Sequence, residues 1–160
     1  MNWPPDTHEI PVKRRHSFPG LGAGDAQVLR RALESGRLKP ERIWLNVPVG
    51  DPPPWTLDPR FAPYALRMAS IYQRRIDAVV QHGNALRIIE LKPLGSPTAV
   101  GQALLYRLLA ENTPELLGEP SACILCDVLQ PDIRSLARAY GIHACELSVP
   151  DQPVLPEGMT

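Results

Sequence analysis

Arg74-Arg75-Ile76-Asp77-Ala78-Val79-Val80-Gln81-His82-Gly83-Asn84-Ala85-Leu86-Arg87-Ile88-Ile89-Glu90-Leu91-Lys92 is the stretch that decides the fold. Two β-rich runs flank Gly83-Asn84, a favourable two-residue hairpin loop. Counting outward from that loop sets His82 against Ala85, Val80 against Arg87 and Ala78 against Ile89. Asp77 then falls opposite Glu90, and directly opposed residues share a sheet face with Cβ atoms roughly 5 Å apart. Lys92, two residues beyond Glu90, belongs to that face as well. Two carboxylates this close repel unless positive charge lies between them. A divalent cation is the obvious candidate, and the lysine completes a set suited to hydrolysis.

Both faces of this hairpin are apolar. Val79, Leu86 and Ile88 line one; Ala78, Val80, Ile89 and Leu91 line the other. Such a sheet needs cover on both sides. The rest of the chain supplies it. Asp25 caps an expected helix running to about Ser35, with Gly36 as its stop and Ala26, Val28, Leu29, Ala32 and Leu33 as its apolar stripe. In the strand expected over 41–49, Ile43, Leu45 and Val47 alternate with Arg42, Trp44 and Asn46. A proline-rich loop over 51–60 and a short helix over 63–70 precede the hairpin. Ser96-Pro97-Thr98 opens a helix over about 99–112, in which Val100, Leu104, Leu105, Leu108 and Leu109 read as packing. A strand over 122–128, a helix from Pro131 stopped by Gly141, and a last strand over 142–147 follow. The order is helix, three strands, helix, strand, helix, strand. It predicts an α/β fold with a mixed central sheet flanked by helices on both faces.

A chain of 160 residues that is 44% hydrophobic is long enough for one domain with its own core. No apolar run approaches the roughly 18 residues of a membrane span. Met1-Asn2-Trp3-Pro4-Pro5-Asp6 is not an apolar signal core, and three cysteines fit a reducing compartment, so a cytoplasmic protein is expected. Nineteen prolines, more than twice the usual level of about 5%, cluster at the ends and over 48–63. Residues 1–23 therefore read as an irregular arm, basic in its middle, residues 24–147 as the folded domain, and residues 148–160 as a tail. Both ends are expected to lack order in an isolated monomer, which makes them candidate docking segments for a protein partner.

Net charge is zero but uneven: residues 1–110 hold 15 Lys and Arg against 9 Asp and Glu, residues 111–160 hold 2 against 8. That asymmetry steers a polyanion towards the N-terminal part of the chain or is plain solvated surface. Cys123 and Cys126, with His143 and Cys145 downstream, invite a zinc reading. Residues three apart on a strand point to opposite faces, so buried thiols are the better account. His8, His16 and His82 fall in expected tails or turns, and Trp3, Trp44 and Trp55 read as packing or docking residues.

Asp77, Glu90 and Lys92 across a counted hairpin, set in a helix–three strands–helix–strand order, resemble the PD-(D/E)XK nuclease superfamily of restriction-endonuclease-like and Holliday-junction-resolvase-like enzymes. The resemblance covers roughly residues 24–147; Ile76 stands where the namesake proline would. It implies a restriction-endonuclease-like αβββαβ core and metal-dependent hydrolysis of DNA phosphodiester bonds. Magnesium, or manganese in its place, would be held by Asp77, Glu90 and the Leu91 carbonyl, with Lys92 acting on the attacking water. Gln102 and Tyr106, one helical turn apart, match a Gln and Tyr that many members place in the following helix. Some members add an acid from the first helix, for which Glu34 is the best match. Arg74 and Arg75 are expected phosphate contacts. Many members dimerise, which extends the expectation to a homo-oligomer. A different class of reading keeps the fold without the chemistry: Asp77 and Lys92 as an ordinary ion pair in a structural or binding protein of a larger assembly, for example a viral particle.

Overall fold

The computed structural model describes residues 7–12, 17–51, 54, 58–64, 72–113, 116 and 120–149. Their elements run β1 (His8–Ile10), α1 (Ala23–Glu34), β2 (Arg42–Val49), a 3-10 turn (Pro59–Tyr64), β3 (Arg74–His82), β4 (Ala85–Gly95), α2 (Pro97–Ala110), β5 (Ser121–Leu129), α3 (Ile133–Ala139) and β6 (His143–Glu146). The six strands form one sheet whose spatial order is the chain order. Strands β1 to β4 pair antiparallel, whereas β4–β5 and β5–β6 pair parallel. Of these pairs only β3–β4 is joined by a tight turn, while the two parallel pairs are joined by helical crossovers through α2 and α3.

Helices cover both faces. On one, Val28, Leu29, Ala32 and Leu33 of α1 pack on Ile43, Leu45, Ala78, Val80, Ile89, Leu91 and Leu125. On the other, Ala99, Val100, Ala103 and Tyr106 of α2 and Ile133 and Ala137 of α3 pack on Trp44, Val79, Ile88 and Ile124. Two successive crossovers stepping the same way along a sheet put both helices on one face when they share a hand, and α2 and α3 obey that. The hairpin divides its faces as its alternation requires. The counted register holds from His82↔Ala85 to Ala78↔Ile89, with Gly83 supplying a positive φ of 57° at the turn.

Three expectations are corrected. The arm is not irregular throughout. His8–Ile10 forms the edge strand β1 against β2, Ile10 and Phe18 are buried in the α1-side core, and Glu9 makes a paired contact with Arg42, whose guanidinium lies over the Trp44 ring. Three residues are too few to display a strand period, so β1 was invisible to pattern. Second, Val47 does not share a face with Ile43 and Leu45. It sits in the opposite core, because the chain passes through a left-handed residue, Asn46, between them. Third, Asp25 does not cap α1. Gly22 occupies the cap position and Asp25 lies inside the first turn with no capping hydrogen bond. The expected helix over 63–70 falls largely outside the described residues, as do Trp3, Trp55, His16 and almost all of the C-terminal tail.

Cys123 and Cys126 lie in opposite cores, as strand alternation demands. Burial raises the Cys123 thiol well above its usual range, pushes Cys126 up to about 11 and raises Cys145. Protonated thiols on opposite faces are poor joint ligands for zinc.

One glycine matters to everything that follows. Gly24 lets the start of α1 lie on β4: a Cβ there would stand 2.8 Å from Cγ of Pro93. Replacing an exposed helical glycine by alanine ordinarily stabilises by about 1 kcal/mol. Gly24→Ala is expected to lower the melting temperature instead, because the added methyl must push α1 off Pro93; a melting temperature at or above wild type would refute that close approach.

Candidate functional site

The β3–β4 ladder ends at Ala78↔Ile89, while β4 continues in register with β5 from Arg87↔Ser121 to Gly95↔Leu129. The two middle strands therefore part company at Asp77 and Glu90. Asp77 and Glu90 are not ladder partners, as counting had placed them. Instead the Leu91 N–H donates to Oδ2 of Asp77 at 2.9 Å. A carboxylate takes the place a backbone carbonyl would fill in a continuing ladder.

Lys92 binds the group together. Its Nζ stands 2.8 Å from Oε1 of Glu90, 3.6 Å from Oδ2 of Asp77 and 3.9 Å from Oδ2 of Asp25, and it donates to the Leu91 carbonyl at 3.0 Å. Asp25, an acid in the first turn of α1, is brought to the cluster by the close approach of Gly24 to Pro93. Glu34 is exposed and nine residues further along α1, roughly 13 Å at the helical rise. A reading of Asp25 as a cap hid it, since an acid at a helix start signals both roles equally.

Glu90 is fully buried. Neither of its carboxylate oxygens has a hydrogen bond of proper geometry, although Lys92 is at ion-pair distance. A carboxylate in that position is costly as an anion. Burial first, then the neighbouring Asp77, push its pKa up to about 8, against the pull of Lys92. Asp25 is raised by burial as well, with Lys92 opposing and Asp77 adding. Burial works against the Lys92 ammonium, but Glu90, Asp77 and Asp25 outweigh it and raise its pKa. The cluster thus holds three carboxyl groups, one firmly charged cation and a proton near neutrality.

From the α2 side Tyr106 is buried and feels the same charges: burial, then Glu90 and Asp77, raise its pKa. Gln102 Nε2 lies 3.5 Å from the Tyr106 hydroxyl, so the two expected helix residues do meet. Arg74 is exposed at the start of β3, and Arg75 is half-buried and donates to the Asn46 carbonyl at 3.0 Å.

The donor set is all oxygen: Asp77, Glu90 and Asp25, with the Leu91 carbonyl engaged by Lys92. Among the described residues no three His, Cys, Asp or Glu side chains form a ready metal cage. Hard divalent cations such as Mg²⁺ ask for less, typically one or two carboxylates plus water. A buried carboxylate with one oxygen unpartnered and the other held only by an ammonium fits that demand. No family model, no curated protein and no solved structure matches this chain, and none of its described helices is long and apolar enough to cross a membrane.

The stability of the metal-free protein should follow Glu90. Its folded pKa, about 8, lies above the unfolded value of 4.5. A raised carboxyl favours the fold below the unfolded pKa, and that benefit drains away as pH climbs through the folded one. Wild type should lose stability between about pH 4.5 and 8, while Glu90→Gln should be nearly flat there and more stable at pH 8 by a few kcal/mol, on the order set by one pKa unit per 1.4 kcal/mol. Urea midpoints in chelator across that range decide it; parallel curves for the two proteins would exclude a buried, proton-holding Glu90.

Proposed function

We propose that the protein is a divalent-metal-dependent nuclease of the PD-(D/E)XK type that hydrolyses DNA phosphodiester bonds. The observation that carries the reading is the Glu90 carboxylate: wholly buried, its Oε2 without a partner and its Oε1 held only by the Lys92 ammonium at 2.8 Å, beside Asp77 where two strands separate. The helix–three strands–helix–strand order around it supports a restriction-endonuclease-like core for the described α/β fold.

Asp77 and Glu90 would hold Mg²⁺ or Mn²⁺, with Asp25 as a third carboxylate within reach of Lys92. A bound cation would supply positive charge to the pentacoordinate transition state and lower the pKa of the attacking water. The protein's own groups do the rest. The Leu91 N–H fixes the Asp77 carboxylate in one orientation. Lys92, kept protonated by its carboxylate neighbours, orients the attacking water and balances charge that develops on the phosphate. Gln102, tied to Tyr106, offers an amide to the water or to the nucleic-acid backbone. Arg74 and Arg75 contact flanking phosphates.

The ion-pair geometry also favours a second reading. Lys92 already lies within 3.9 Å of an oxygen of each carboxylate, an arrangement that serves a non-catalytic protein of a larger assembly, docking through its proline-rich ends. Titration separates the two. Calorimetry of Mg²⁺ and Mn²⁺ against wild type should give binding that strengthens from pH 6 to 9, as the Glu90 proton leaves, and that Asp77→Asn and Glu90→Gln abolish.

In cleavage assays on linear, branched and flapped DNA, Asp77→Asn and Lys92→Ala should fall by a factor on the order of 10³ without losing the fold. A wild type that cuts none of these substrates with either metal would overturn the nuclease reading.

A further inference from the structure

Asp77 is the one residue of β3 with no register partner on either side. Arg74, Arg75 and Ile76 are in register with β2, and Ala78 onward with β2, β4 or both. The residue across from it on β2 is Asn46, which is likewise skipped between Leu45↔Ala78 and Val47↔Ile76. The count of residues is equal on the two strands, so no residue has been inserted. What changes is the face. Leu45 and Ala78 belong to the α1-side core, whereas Val47 and Ile76, two residues on along each strand, belong to the α2-side core. In a regular sheet residues two apart share a face. Both strands therefore flip at the same pair.

The cause sits on β2. Asn46 has φ +57°, the only positive φ at a non-glycine residue among those described. Asn tolerates this left-handed region better than most side chains, and valine or isoleucine tolerate it poorly. The conformation is held from two sides. Gly20, itself at φ +83°, packs so close that a Cβ on it would stand 2.6 Å from both Cβ and Cγ of Asn46. Arg75 Nη1 donates to the Asn46 carbonyl, which the interrupted ladder leaves without its regular partner.

We infer that Asn46, seated on Gly20, is the positioning residue for Asp77: its left-handed backbone breaks the ladder opposite Asp77 and frees that side chain to take the Leu91 N–H on β4. With an ordinary β conformation at position 46 the β2–β3 ladder would run on through Asp77. The alternation set by Ala78 would then continue, and the carboxylate would leave the gap between β3 and β4. The geometric claim is independent of what the site does. Its consequence for a metal rests on the nuclease reading, because it treats Asp77 as a ligand.

The test compares Asn46→Gly, which adopts φ +57° freely, with Asn46→Val, which resists it, and with the milder Asn46→Ala should the valine variant not fold. The direct readout is hydrogen exchange of the Leu91 amide, measured without metal, beside Val79 and Ile88 amides as controls in the intact ladder. Asn46→Val or Asn46→Ala should speed exchange at Leu91 by about tenfold or more and leave the controls unchanged, while Asn46→Gly keeps wild-type protection. Gly20→Ala should behave like Asn46→Val. In the Mg²⁺ titration the first group should weaken binding by about 10–100-fold, the range for residues that orient a ligand, and Asn46→Gly should not. Unchanged Leu91 exchange in Asn46→Val and Asn46→Ala would overturn the inference, as would equal loss in Asn46→Gly. The expected exchange pattern in a protein whose wild type binds no metal would sustain the positioning role and remove only the nuclease reading.

Discussion

β4 pairs antiparallel with β3 and parallel with β5, and the two ladders do not cover the same residues. It keeps β5 to the end at Gly95 and gives up β3 after Ile89. Everything distinctive follows from that divergence. A strand that loses its neighbour exposes backbone donors, and Asp77 caps one of them at Leu91. The gap admits the Lys92 side chain and brings three carboxylates around it. Because α1 and α2 close the two faces, the gap is walled rather than open, and Glu90 loses its water. An unhydrated carboxylate then needs a proton, an ammonium or a metal ion, and the site is poised among those three.

The balance is set first by burial and then by the count of charges around Lys92. Three carboxyl groups face one lysine, so the cluster tends towards excess negative charge. A proton shared near pH 8 on Glu90 relieves it in the absence of any other cation. The same excess keeps Lys92 charged. Glu90 holds its proton because of burial and its carboxylate neighbours, whereas Lys92 keeps its charge because of those carboxylates and against the effect of burial.

The sequence made the centre of this legible and hid its edges. A two-residue turn at Gly83-Asn84 fixes the hairpin register outright, so Ala78↔Ile89 and the apolar faces could be counted. Counting fails where the regular ladder does, and so it placed Asp77 directly across from Glu90 when the strands have already separated. β1 carried no pattern because it is three residues long. Asp25 was legible as an acid at a helix start but not as a site residue, for its role depends on Gly24 meeting Pro93, a contact between segments nearly 70 residues apart. Asn46 did carry a signal, since Asn is depleted in strands, yet an isolated polar residue in a strand more often marks a solvent-facing position than a reversal of face.

The order of strands in space is their order along the chain, and this bears on how the molecule comes together. Every strand pair joins sequence neighbours, so the sheet can grow from one edge to the other as the polypeptide leaves the ribosome, without waiting for a distant segment to thread between strands already paired. The acidic cluster is covalently complete once Lys92 has emerged, before α2 is made. Until that helix arrives, Glu90 and Lys92 lie open to water on the uncovered face, where their charges are cheap. The share of the electrostatic cost that Glu90 carries falls at the closing step, when α2 docks on a sheet whose central hairpin is already in register.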